Sequence, residues 1–115
     1  MNLPKVSLFP ILDAAQPLRF RAPSVDEHGK ALSDFMMIIP GLRDKPRQLI
    51  QQTLYDIQAT LACFQHAVVF AEFNLKLNLL WVSLRPRQGA ISELVAAIRL
   101  RVPEAVLVAH YAEPR

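Results

Sequence analysis

The sequence predicts an α+β domain whose chain runs strand–helix–strand–strand–helix–strand. Three observations predict it. Two stretches place apolar residues at helical spacing. Four runs of strand length are dense in Val, Ile, Leu and aromatic residues. The junctions between them are short and carry Pro, Gly or Asn.

The first strand is Phe35-Met36-Met37-Ile38-Ile39, stopped by Pro40-Gly41. A helix follows, with Asp44 as its expected N-cap, Pro46 in the first turn, and an apolar stripe at Leu49, Ile50, Leu54, Ile57, Leu61 and Phe64. Residues 67–73 and 77–84 are the next two strands, joined through Asn74-Leu75-Lys76 as a hairpin. Pro86 to Gly89 turns the chain into a second helix, with Ile91, Leu94, Val95, Ile98 and Val102 on one stripe and Pro103 at its end. Residues 105–111 form the last strand. With right-handed crossovers this order is the split βαβ, ferredoxin-like plait. Its antiparallel four-stranded sheet has the order 4-1-3-2, with both helices on one face.

Residues 1–32 differ. Pro4, Pro10, Pro17 and Pro23 forbid a regular helix. Yet Leu3, Val6, Leu8, Phe9, Ile11, Leu12, Leu18 and Phe20 are too apolar for a free linker. The segment reads as an extended arm that packs on something, with a short edge strand expected at residues 18–21. The domain is thus placed at 33–111, with a tail at 112–115.

Composition bounds the function. The chain has 115 residues, of which 52% are hydrophobic, enough for one packed domain and too apolar for disorder. No apolar run approaches the ~20 residues of a membrane helix, and Pro4 and Pro10 interrupt any signal-peptide core. The single cysteine, Cys63, fits a reducing compartment, so a cytoplasmic location is expected. The net charge of +3 is a mild basic bias. Phe35 and Trp81 fall on the strands that stack bases in RNA-binding plaits, but the accompanying Lys/Arg-Gly-aromatic run is absent, and no nucleic-acid partner is expected.

Phe73-Asn74-Leu75, then Leu80-Trp81-Val82-Ser83-Leu84-Arg85-Pro86, then Ile91-Ser92-Glu93-Leu94-Val95-Ala96-Ala97-Ile98 resemble the second half of a heavy-metal-associated domain. Ile38-Ile39-Pro40-Gly41-Leu42 resembles the opening of that family's metal loop. The resemblance covers residues 35–110 and implies the plait. In the family, two cysteines spaced C-x-x-C bind soft ions such as Cu(I). Here those places fall at or beside Asp44 and Arg47, with Lys45 and Pro46 between. Arg43, Lys45 and Arg47 repel a cation, so the metal site is expected to be lost. Pro40-Gly41-Leu42 also resembles the Pro-Gly-Leu turn of ACT regulatory domains, although Ile39 stands where those usually carry Asp.

Three sites follow as expectations. Arg43, Lys45 and Arg47 at the start of the first helix, with Lys76, Arg99 and Arg101 at the same pole, could hold a small anion. Cys63 and His66, with His110, are the sole metal-ligand candidates, and the plait would place the strands bearing them at opposite edges of the sheet. The sheet face away from the helices is expected to be apolar, with Leu77, Leu79 and Trp81 on it, which predicts a homodimer packing face to face or a larger protein partner. No cofactor motif and no catalytic arrangement is present in the sequence. The expected function is a small non-enzymatic interaction module; the alternative is an ACT-like regulatory domain binding a small anionic ligand.

Overall fold

A computed structural model describes residues 5–7 and 31–111. The elements are β1 (Lys5–Ser7), β2 (Ser33–Ile38), α1 (Arg47–Ala62), β3 (Val68–Asn74), β4 (Leu79–Leu84), α2 (Ala90–Arg101) and β5 (Val106–Tyr111). The sheet order is β1-β3-β4-β2-β5. The four strands from β2 to β5 are antiparallel neighbours in the ferredoxin-like order. To them the chain adds one strand the sequence did not suggest: β1 pairs parallel with β3, Lys5 opposite Phe70 and Ser7 opposite Glu72. The edge strand expected at residues 18–21, and the tail 112–115, lie outside the described residues.

The helices form on the stripes read from the sequence. α1 buries Leu54, Ile57 and Leu61, and α2 buries Ala90, Leu94 and Ile98. These meet Phe35 and Met37 of β2, Ala71 and Phe73 of β3, and Leu80, Val82 and Leu84 of β4. The strand residues alternate, as a half-covered pleat requires. Ile39 and Leu42 close the core beneath the turn after β2.

Three local expectations are corrected. Asp44 does not cap α1: it ends a 3-10 turn, Leu42–Asp44, and Pro46 occupies the cap position. Proline suits the entry because the first helical N–H groups have no intrahelical partner. Leu49 turns outward, 52% exposed, so the buried stripe starts one turn later. The connection after β3 is a 3-10 turn, Leu75–Leu77, so Leu77 belongs to the turn and not to a strand. The Asn74 side chain accepts from the Leu77 N–H at 3.2 Å. Asn78 closes the turn in the left-handed region at φ 54°, where asparagine is tolerated better than most residues.

Leu94 is fully buried beneath the sheet's inner face. Leu94→Ala should therefore cost about 2–5 kcal/mol, read as a lower urea midpoint with an unchanged slope.

Candidate functional site

The basic pole is assembled from three connections. Arg43 donates its backbone N–H to Asn78 Oδ1 and its Nη1 to Lys76 O, both at 2.9 Å. Lys45 lies 3.7 Å from Glu104 in the loop between α2 and β5. Arg43 also sits 3.9 Å from Asp44. The turn before α1, the β3–β4 turn and the end of α2 therefore meet at one pole, where the sequence placed them. Arg47, Arg99 and Arg101 are exposed. Two of the cations expected to receive an anion, Arg43 and Lys45, are instead engaged with neighbouring loops.

The opposite pole holds Cys63 and His66. Cys63 is an exposed free thiol whose Sγ lies 3.5 Å from Ala59 O. His66 is exposed, its ring stacks on Phe64 at 6.5 Å, and its carbonyl accepts from Arg85 Nη1 at 3.2 Å. The strand after His66 is β3, and His110 belongs to β5; β4 and β2 lie between them. No group of three or more potential metal ligands occurs among the described residues.

The sheet face away from the helices departs most from expectation. Register sets Ser83 beside Asp34 and Phe70, Trp81 beside Met36 and Glu72, and Leu79 beside Ile38 and Asn74. Leu79 and Trp81 are on this face and half-buried, whereas Leu77, in its turn, is 56% exposed. The face is not uniformly apolar: Asp34, Glu72, Asn74 and Ser83 interrupt it. Moreover, Glu72, Asn74 and Ser83 are buried, with Ser83 at 2%. The Trp81 Nε1 atom is shut off from solvent and meets no acceptor at good hydrogen-bond geometry. Burial raises the Asp34 carboxyl above its ordinary value, and the Trp81 N–H partly offsets that rise.

Exposure returns toward β5. The row Leu79–Ile38 continues to Val106, 48% exposed; Leu107, opposite the buried Met37 and so on the helix side of β5, is 36% exposed, and Val108 is 49% exposed. Val108 is the extra residue of a bulge opposite Met36 and Met37. β5 and β1 are the two edge strands, and among the described residues no strand pairs with the outer side of β5. The sequence signal for this patch was the uninterrupted Ala105-Val106-Leu107-Val108-Ala109 run, which a half-covered edge strand does not need.

No family model, curated protein or solved structure matches the chain. No helix among the described residues is long and apolar enough to cross a membrane.

Two outcomes follow from this geometry. A folded-state value raised above the unfolded one means that ionised Asp34 is destabilising, and that the penalty vanishes as pH falls below the ordinary aspartate range. Asp34→Asn should therefore raise the melting temperature at pH 7, with the gain shrinking toward pH 4 in thermal scans. Titration with Zn(II) or Cu(I), followed by competition with a chelator, should yield no stoichiometric complex, and Cys63→Ser should not alter the result.

Proposed function

We propose that this chain is a non-enzymatic protein-interaction module on a ferredoxin-like plait, resembling a heavy-metal-associated domain without its thiol site. The observation that carries the proposal is the exposed apolar run Val106-Leu107-Val108 on β5, an edge strand of the sheet. Clustered exposed apolar side chains on an edge strand mark a contact surface or an aggregation hazard. The basic pole fits the same reading, because Arg43 and Lys45 tie loops together.

The partner we propose is a second copy of the chain, meeting at the β5 end and not through Trp81. Glu72 and Ser83 are already buried on the Trp81 side of the face, which leaves less apolar surface there for a neighbour. The bulge at Val108 interrupts a flat edge, so side-chain packing, more than a long backbone ladder, would hold the two copies. An exposed free thiol is in keeping with a reducing compartment. The anion-binding alternative is weaker, because Arg43 and Lys45 already have partners.

Light scattering on the full chain over a range of concentration tests the proposal. A dimer that dissociates on dilution, and that Val108→Lys at the exposed bulge converts to a monomer of unchanged melting temperature, is the expected result. A chain that stays monomeric at every concentration overturns self-association through this surface.

A further inference from the structure

The outer face of the sheet is partly buried, yet no described element lies over it. Both helices pack on the inner face, with Phe35, Met37, Phe73, Leu80 and Val82. On the outer face, Glu72 is 6% exposed, Asn74 7% and Ser83 2%, and the Trp81 Nε1 atom is closed off. A bare sheet face would leave such side chains open to water.

The strand directions say where cover can come from. β1 is parallel to β3, and β2 and β3 are both antiparallel to β4, so β1, β2 and β3 all run the same way. The link from β1 to β2 is therefore a crossover between parallel strands, passing β3 and β4. Such crossovers are right-handed in about 98% of cases. The crossover from β2 through α1 to β3 moves in one lateral direction along the sheet and lies on the inner face. The crossover from β1 to β2 moves in the opposite lateral direction between strands of the same sense. Two crossovers of the same hand that run opposite ways along a sheet fall on opposite faces, as they do in doubly wound folds. A right-handed link from β1 to β2 would then pass over the outer face.

We infer that residues 8–31 of this chain cross the outer face of the sheet and are the occupant that buries Glu72, Asn74, Ser83 and the Trp81 indole nitrogen. Length permits it. The link has 25 residues between Ser7 and Ser33. Three strand spacings of ~4.8 Å plus the return along a strand of ~20 Å are needed, against an extended reach of ~80 Å. Composition fits as well. Leu8, Phe9, Ile11, Leu12, Leu18 and Phe20 supply apolar contacts, and Pro10, Pro17 and Pro23 keep the segment from a regular helix. Leu32, where the link rejoins β2, is buried. The inference is independent of the β5 contact, because it concerns the β3–β4 side of the sheet.

Trp81 is the sole tryptophan and reports on the face directly. In a full-length chain carrying Cys63→Ser, a bimane fluorophore, whose emission a nearby tryptophan quenches, is attached at Ala15→Cys or, separately, at Ser24→Cys, each with Trp81 present and with Trp81→Phe. A label at Tyr55→Cys, exposed on α1, serves as the control. A fourth sample mixes the Ala15→Cys labelled chain bearing Trp81→Phe with unlabelled parent. The expected result is loss of most bimane emission at one or both arm positions when Trp81 is present in the same chain, little loss at the Tyr55 position, and none in the mixture. Emission that persists with both arm labels overturns the inference. So does quenching in the mixture, which would mean that a second copy supplies the segment.

Discussion

The two helices cover only one face of the five-stranded sheet, and the rest of this chain is arranged around that constraint. The inner face is sealed by Leu54, Ile57, Leu61, Leu94 and Ile98 over Phe35, Met37, Phe73, Leu80 and Val82. Because side chains alternate along a strand, each buried inner residue fixes its neighbour on the outer face. Placing Phe35 and Met37 inward commits Asp34, Met36 and Ile38 outward, and placing Leu80 and Val82 inward does the same for Leu79, Trp81 and Ser83. A register slip of one residue would drive Asp34 and Ser83 into the core.

The polar residues of the outer face acquire their meaning from that register. Asn74 shows how one is used: its side chain caps the following turn, so it can be buried without losing a hydrogen-bond partner. Asp34 is the opposite case. Its carboxyl is held in surroundings that disfavour charge, and the Trp81 N–H relieves this only in part. A carboxylate in that position lowers stability at neutral pH, while marking which side of β2 must stay away from the core.

The poles are stitched by backbone acceptors and loop contacts. Arg43 binds Asn78 and Lys76, and Arg85 binds His66. These bonds engage Arg43, while Arg47, Arg99 and Arg101 stay exposed. The same bonds hold the turn before α1 against the β3–β4 turn, and the start of β3 against the end of β4. Apolar surface open to solvent lies at the β5 edge, at Val106, Leu107 and Val108.

The helices and the order of the inner strands were legible in the sequence because each rests on local periodicity. Leu54, Ile57 and Leu61 at helical spacing, and Ile91, Leu94, Val95 and Ile98 likewise, mark amphipathic helices. The cap of α1 was misjudged because Asp44 and Pro46 both satisfy local rules for a helix start, and the tie of Arg43 to Asn78, 35 residues away, decides where the turn ends. The outer face was misjudged for a related reason. Apolar runs in β2 and β4 disclose how hydrophobic a strand is, whereas which polar residues share a face depends on register with strands distant in the chain. The pairing of β1 with β3 is likewise invisible locally, since three residues, Lys5–Ser7, carry no periodicity. The sequence by itself thus determined the two helices, the four plait strands and their order, through spacing along one chain. The tertiary structure alone decided the fifth strand, the burial of Glu72 and Ser83, and the open edge at β5, because each depends on contacts between segments that only folding brings together.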